Sequence, residues 1–248
     1  MVYNPRIHHR KSIRLKEYDY SQEGMYFITI CVQNKKMLFG KITRPVPVGA
    51  DPRVCPDNDP SIPPINSNPQ LTLNDAGEMI EKWFMKLETK FPDIECDIFI
   101  VMPNHVHCII VNNGAGNSNI ARANWIKKGF NLDKPSLDRP LINGETSILG
   151  KSQNLGESKI LDDSKNLGES SILGEHVGSP LGSVMQWFKT MSTNEYIRGV
   201  KTLDWERFDG KLWQRNYWEH IIRDERSYNA IKKYIINNPQ NWDVDKMK

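Results

Sequence analysis

The sequence predicts an α+β fold in which helices cover one face of an antiparallel sheet. Short segments rich in β-branched and aromatic residues alternate with segments whose apolar residues recur at helical spacing. Their order along the chain is strand, helix, hairpin, insertion, helix, strand and terminal helix. That order matches a ferredoxin-like sandwich better than a parallel doubly wound sheet.

The first predicted elements are strands followed by a helix. Residues 25–32 (MYFITICV) have the composition of a buried strand, and we expect a second strand at 37–42 to pair with it. Residues 43–70 carry many Pro, Asn and Asp residues without periodicity, which predicts a loop. Asn74 is a suitable N-cap for a helix with a regular apolar stripe, and Pro92 ends it.

A hairpin and a long insertion follow. Strands at 95–102 and 105–111 are separated by Pro103-Asn104, a dipeptide that favours a turn. Residues 112–180 are rich in Asn, Ser, Gly, Lys and Asp, and NLGES occurs at both 154–158 and 166–170. This composition predicts a low-complexity insertion, disordered or forming a mobile flap, within a single domain that spans residues 1–248.

Three more elements complete the prediction. An amphipathic helix begins at Leu181 and ends near Gly199, and residues 212–222 (LWQRNYWEHII) are predicted to be extended. The terminal helix begins near Asp224 and stops near Asn238, because Pro239 cannot continue it.

The charge distribution indicates more than the net charge of +3 does. Residues 1–44 contain nine Lys or Arg against three Asp or Glu, with aromatic residues between them. Such a mixture suits a nucleic-acid strand, which offers phosphates to neutralise and bases to stack on. No apolar run is long enough to span a membrane, the four scattered cysteines favour reduced thiols, and we expect a soluble cytoplasmic protein.

Four residues form the candidate chemical site. His105 and His107 alternate along a predicted strand, so both imidazoles lie on one face of the sheet. Tyr234 and Asn238 lie four apart on the terminal helix and share a face. Two imidazoles and an amide oxygen suit Mg²⁺ or Mn²⁺, and zinc or cobalt stays open. Taken singly, each residue is as compatible with a structural role.

The combined pattern resembles a known family. The stretch FIVMPNHVHCIIV, followed downstream by WQRNYWEHIIRDERSYNAIKKYIINNPQNW, is similar to the HUH single-tyrosine transposases, especially their REP-associated branch. The front segment YDYSQEGMYFITICVQNKKMLFGKI and the helix opening LTLNDAGEMI also match. The long insertion departs from the compact pattern of that family.

The resemblance implies specific roles. His105, His107 and Asn238 become metal ligands, and Tyr234 becomes the nucleophile that forms a 5′-phosphotyrosine on single-stranded DNA near a hairpin. Tyr217 and Tyr228 are weaker candidates for that nucleophile. A homodimer is compatible with the family, and a monomer stays open. The expected DNA-contacting residues, which share positive charge or an aromatic ring, are Arg10, Lys11, Arg14, Arg215, Trp218, Arg223 and Lys233.

Two other functions remain open from the sequence. One is a protein that binds a DNA hairpin but does not cut it. The other is a metal-dependent phosphodiesterase that uses water, with a purely structural Tyr234. In a cleaving enzyme, we expect about 5 Å between the Tyr234 hydroxyl and the histidine nitrogens, enough for a metal and a phosphate.

Overall fold

The structure is a computed structural model that describes residues 15, 17–44, 68–114, 118–130, 132 and 178–244. Its strands are β1 (Gly24–Cys31), β2 (Gly40–Thr43), β3 (Gln70–Leu73), β4 (Ile94–Met102), β5 (His105–Asn112) and β6 (Trp218–Ile222). Its helices are α1 (Asp75–Lys90), α2 (Ser118–Lys127), α3 (Leu181–Thr202) and α4 (Glu225–Ile236). None of the helices in these ranges combines the length and apolar character needed to cross a membrane.

The central feature is a four-stranded antiparallel sheet in the order β4, β5, β1, β6. β1 and β5 are its inner strands and are almost completely buried. The chain passes through this sheet as strand, helix, hairpin, helix and strand, the split βαβ arrangement of ferredoxin-like folds. The predicted α+β class is therefore confirmed.

Helices lie on both faces of this sheet. α1 and α3 pack on the face that carries Ile28, Ile30 and Cys108, as the sequence predicted. The opposite face, with Met25 and Ile109, is covered by α4 and by the end of α2. The expectation that helices cover one face thus holds for α1 and α3 only. The reason is that β1 and β5 are apolar on both faces, so each face needs a cover.

The expected partner of β1 was wrong. β2 pairs with β3, with Lys41 opposite Thr72, and not with β1. Both edges of β1 are already occupied, by β5 and β6, so no edge is left for β2. Residues 45–67, the centre of the predicted 43–70 loop, lie outside the described residues. Within the predicted 212–222 strand only β6 is regular, and Trp213 forms an isolated bridge with Val32.

The ends of the 112–180 insertion belong to the core. α2 lies inside this range, and Trp125 and Phe130 are buried beside Tyr228 of α4. Its two ends also meet, because the Asn112 side-chain amide donates to the Ser179 carbonyl at 3.0 Å. The Asp93 carboxylate, just before β4, also accepts hydrogen bonds from the backbone N–H and the hydroxyl of Ser179. Residues 133–177, which include the repeats, lie outside the described residues, so their low-complexity character stays a prediction.

α4 is fixed on the sheet by its first turns. The Asp224 carboxylate caps the helix by accepting from the backbone N–H of Ser227 at 2.8 Å, as expected for an aspartate at this position. A β-bulge at Asp97 lies opposite, and Asp97 accepts a hydrogen bond of 2.7 Å from the buried Tyr228 hydroxyl. α4 therefore lies across β4 and β5, above the two histidines.

Candidate active site

The histidine pair lies on the sheet face that α4 covers. His105 and His107 are both about 99% buried or more, and their ring centroids are 4.5 Å apart. Val106 between them points to the opposite face, into the core with α1 and α3. The strand alternation predicted from the sequence therefore brings the two imidazoles side by side.

Each imidazole is held at its Nδ1 atom. His105 Nδ1 lies 2.7 Å from Asn104 Oδ1. His107 Nδ1 lies 2.8 Å from the hydroxyl of Thr29, the residue of β1 that pairs with His107. An amide oxygen only accepts, so the His105 proton is assigned to Nδ1. The Thr29 hydroxyl can donate or accept, and we assign the same tautomer to His107, in which Nδ1 donates to Thr29 and the Nε2 lone pair is directed towards α4.

Tyr234 meets the histidines from α4. Its hydroxyl oxygen lies 3.3 Å from His107 Nε2, and the ring packs edge-on against Phe27 and His107. The side chain is nevertheless 40% exposed. This geometry brings the predicted nucleophile and one predicted metal ligand into contact, although the separation is shorter than the roughly 5 Å expected from the sequence.

Asn238 is the remaining residue of the predicted site and lies just after the C-cap of α4. It is 1% exposed, and its side-chain oxygen has no hydrogen-bond partner among the described residues. Trp242, four residues further on, stacks on His105 with an interplanar angle of 17°, so the chain after α4 runs beside the histidines. A buried acceptor without a partner costs free energy unless a ligand satisfies it.

The electrostatics of the site favour neutral imidazole. Burial, and secondly the neighbouring His105, lower the pKa of His107 well below its usual range. Neutral imidazole is the form that binds metal ions. Within the described ranges no three His, Cys, Asp or Glu side chains cluster as a metal site. A metal here would therefore use the two imidazoles and the Asn238 amide oxygen, a donor set that fits a divalent cation.

Trp218 shares this face of the sheet. In β6 it pairs with Thr29, which in turn pairs with His107, so the three residues form one row across the strands. Trp218 is 60% exposed, whereas Trp213 is buried and donates to the Ser192 hydroxyl at 3.0 Å. Trp218 is therefore open to a ligand, whereas Trp213 belongs to the core.

The other predicted DNA-contacting residues are less closely tied to the site. Arg215, Arg223 and Lys233 are exposed. Lys233 directly precedes Tyr234, and successive helical side chains point about 100° apart. Arg10, Lys11 and Arg14 lie outside the described residues.

The alternative nucleophiles, Tyr217 and Tyr228, lie in the interior of the protein, where their roles are structural. Tyr217 and Tyr228 are both at least 92% buried. Tyr217 belongs to the core with α1 and α3, and the Tyr228 hydroxyl is bonded to Asp97. Of these tyrosines, only Tyr234 is both exposed and beside the histidines.

Three residues of the site, and a fourth residue that acts on it from outside, were missed from the sequence. Thr29 and Asn104 orient the histidines, and Phe27 packs on His107 with ring centroids 5.5 Å apart. Lys189 donates to the carbonyl oxygens of residues 214–216 at 3.0–3.4 Å and thereby fixes the segment that leads into β6. Burial lowers the pKa of Lys189 to about 8, and the neighbouring Cys31 opposes this shift. Thr29 and Phe27 were detectable as alternate residues of β1, but only the strand register shows what they contact.

The chain has similarities to known proteins. No protein-family model matches the chain. A protein of Haemophilus influenzae, described as uncharacterized, is 33% identical over 245 residues, which cover 99% of this chain and 96% of that protein. The solved structure of a REP-associated tyrosine transposase bound to a REP hairpin aligns with 96% of this chain and 77% of its own, with a TM-score of 0.43 and 14% sequence identity.

Proposed function

We propose that the chain, which belongs to the same family as its Haemophilus influenzae relative, is a transposase that cuts and rejoins single-stranded DNA through Tyr234. The observation that carries this proposal is the 3.3 Å contact between the Tyr234 hydroxyl and His107 Nε2, made by a tyrosine that is still 40% exposed. A purely structural tyrosine has no need of both features, whereas a nucleophile must lie beside the metal ligands and remain open to its substrate.

The metal ligands in this proposal are His105, His107 and Asn238. Mg²⁺ or Mn²⁺ bound there would neutralise charge that develops on the phosphate oxygens. The three ligands carry no charge of their own, so they leave that of the cation intact. Thr29 and Asn104 hold the imidazoles in the tautomer that presents Nε2.

The Tyr234 oxygen attacks phosphorus, and the bond from phosphorus to the 3′ oxygen breaks. A 5′-phosphotyrosine forms, and the phenol proton accounts for the proton on the released 3′-hydroxyl. The link conserves the ester, so a second 3′-hydroxyl can displace Tyr234 and rejoin the strand. Because 3.3 Å is too short for a phosphate to enter, the exposed phenol must rotate away from His107 to admit it.

The DNA strand would cross the exposed part of the sheet face. Trp218 lies two strands from His107 in the same row, about 10 Å away at the usual strand spacing. Its exposed indole offers a surface on which an unpaired base stacks. The preference for a hairpin follows from the sequence resemblance.

The test is a denaturing gel with a hairpin oligonucleotide labelled at its 3′ end, incubated with protein and Mg²⁺. A phosphotyrosine enzyme gives a labelled band at protein size, because the fragment 3′ of the cut stays on Tyr234. Labelled fragment free of protein would indicate hydrolysis by water. Retarded migration on a native gel without cleavage would indicate a binding protein.

Two variants assign the nucleophile. Tyr234→Phe should abolish the covalent band, since it removes the attacking oxygen and retains the ring packed on Phe27. Tyr217→Phe removes one hydroxyl from a tyrosine in the core on the opposite face and should leave the band intact. A covalent band that persists in Tyr234→Phe would rule out this assignment.

A further inference from the structure

A third histidine, His220, lies on the sheet face that carries the candidate active site. It pairs with Phe27 of β1, and the Phe27 ring contacts both His107 and Tyr234. Strand alternation places His220 on the same face as Trp218, two residues before it in β6. A single aromatic residue therefore separates this imidazole from the phenol and from the histidine that the phenol contacts.

The side chain of His220 is open to solvent. It is exposed, and no hydrogen bond or ion pair holds it within the described part of the chain. In this respect it differs from His105 and His107, which are buried and held at their Nδ1 atoms. A ligand on this face can therefore reach the ring nitrogens of His220.

The direction of attack decides which part of the sheet faces the leaving group. α4 lies across β4 and β5, so Tyr234 approaches the phosphate from that half of the sheet. In an in-line displacement the leaving oxygen lies on the side of phosphorus opposite to the attacking oxygen. The 3′ oxygen would therefore lie over β1 and β6, where Trp218 and His220 are exposed.

Few side chains in this half of the sheet can donate a proton to that oxygen. The hydroxyl of Thr29 is bonded to His107, and the thiol-bearing Cys31 is only 5% exposed. His220 is the exposed member whose side chain is suited to proton transfer near neutral pH. The side chains that β1 and β6 place on this face are Met25, Phe27, Thr29, Cys31, Trp218, His220 and Ile222.

The separation of His220 from His107 suits a phosphodiester between them. They lie two strands apart and two residues apart along the strand direction, which puts their Cα atoms about 12 Å apart. A metal ion with ligands at about 2 Å, a phosphate and a hydrogen bond of about 2.8 Å together span about 10 Å. With the metal on the His107 side, the leaving oxygen would thus come within hydrogen-bonding reach of His220.

We propose that His220 is the general acid that protonates the 3′ oxygen during cleavage. The inference rests on the proposed function, because that function supplies the reacting phosphate. As the bond from phosphorus to the 3′ oxygen breaks, His220 transfers a proton to that oxygen, the phenol proton passes to water, and His220 regains a proton from water. In the rejoining step, neutral His220 accepts the proton of the attacking 3′-hydroxyl, and Tyr234 leaves with a proton from water.

The test replaces the bridging 3′ oxygen of the cleaved phosphate by sulfur. A thiol ionises near pH 8.5 and an alcohol far above it, so a thiolate leaves without a proton donor. The adduct gel with wild-type protein first identifies the cleaved phosphate. The rate of covalent adduct formation is then measured on both substrates, with protein in saturating excess over DNA and with Mg²⁺. The variant is His220→Gln, whose side chain stays polar and of similar size but transfers no proton.

The proposal predicts a defect that depends on the leaving group. His220→Gln should slow adduct formation on the oxygen substrate by about 100-fold or more, the usual contribution of a general acid. On the sulfur substrate it should react at nearly the wild-type rate. The adduct that it forms there should then rejoin slowly to an added strand with a 3′-hydroxyl, because that step needs a proton acceptor.

A matched control removes an exposed ionisable group elsewhere. Lys201 lies in the last turn of α3, which packs on the other face of the sheet. Lys201→Gln should match wild type on both substrates. His220→Asn is measured in parallel and decides if thermal unfolding shows that His220→Gln fails to fold.

The outcomes separate this inference from the proposed function. An unchanged rate of His220→Gln on the oxygen substrate overturns the general acid, and so does equal slowing on both substrates, which a merely structural role would give. In both cases the wild-type adduct still supports cleavage through Tyr234. Wild-type protein that forms no adduct with the oxygen substrate overturns the proposed cleavage and this inference together.

Discussion

Replacing Thr29 by Val should weaken the binding of a metal ion at His107. The Thr29 hydroxyl lies 2.8 Å from His107 Nδ1, both residues are at least 97% buried, and valine retains the shape without the oxygen. If the proton stays on Nδ1, a buried donor loses its acceptor, which costs about 1–3 kcal/mol of stability. If the proton moves to Nε2, the ligating lone pair is lost.

The size of the effect on metal affinity follows from this tautomer change. Loss of a group that orients a metal-bound histidine typically costs 10- to 100-fold in affinity. We therefore expect Thr29→Val to weaken Mn²⁺ binding by that factor, measured by electron paramagnetic resonance titration of free Mn²⁺. The yield of covalent DNA adduct at limiting Mn²⁺ should fall in parallel and recover at saturating metal.

Thr29→Ser is the matched control. It keeps the hydroxyl and removes one methyl group, so it should lose about 1 kcal/mol of stability while its Mn²⁺ affinity stays normal. Urea unfolding without metal separates the two contributions in each variant. Wild-type Mn²⁺ affinity in Thr29→Val would refute the assignment of Thr29 as the group that positions His107.

Three further outcomes are expected. Trp218→Ala should weaken single-stranded DNA binding by about 1–3 kcal/mol in anisotropy titrations, while Leu203→Ala, equally exposed at the end of α3, should not. Since burial lowers the pKa of His107 below 6.5, only the unfolded chain binds that proton in mild acid. Stability should therefore be lost as pH falls below 6.5, by up to about 1.4 kcal/mol at pH 5.5, and His107→Gln should remove this loss in urea unfolding. Asp93→Ala should lower the free energy of unfolding by about 1.5–3 kcal/mol, because two hydrogen bonds to a carboxylate disappear. Ser179→Ala removes only one of these hydrogen bonds and should lower it by less. Equal losses in the two variants would contradict this reasoning.

The parts of the site that sequence could predict depend on local periodicity. His105 and His107 share a face because strand alternation requires it, and the structure confirms this pattern. Tyr234 and Asn238 were expected to share a helix face, but α4 ends at Ile236 and Asn238 lies beyond its C-cap, so helical spacing does not describe that pair. The contact between Tyr234 and His107 is different, since neither periodicity contains it, and only the family resemblance led us to expect it.

The parts that sequence could not predict depend on pairing between distant segments. Thr29 reaches His107 only because β1 and β5 align in one particular register, and a shift by one residue would turn Thr29 to the other face. The pairing expected between β1 and a strand at 37–42 was wrong for the same reason, because both edges of β1 are paired with segments far away in the chain. The burial of Trp125 was not predicted, because it lies in a polar segment, which nevertheless contributes two aromatic residues to the core.

The partial exposure of Tyr234 follows from how α4 is held. Tyr228 and Ile235 anchor the helix on the sheet, the former through its hydrogen bond to Asp97. Tyr234 is next to Ile235 and therefore lies at the border of the buried stripe, with one edge on His107 and the other in water. One position further into the stripe, the phenol could not reach a DNA phosphate, and one further out it would lose His107. A buried anchor beside Tyr234 thus places the phenol between the buried ligands of the proposed metal site and the solvent from which the proposed DNA strand would arrive.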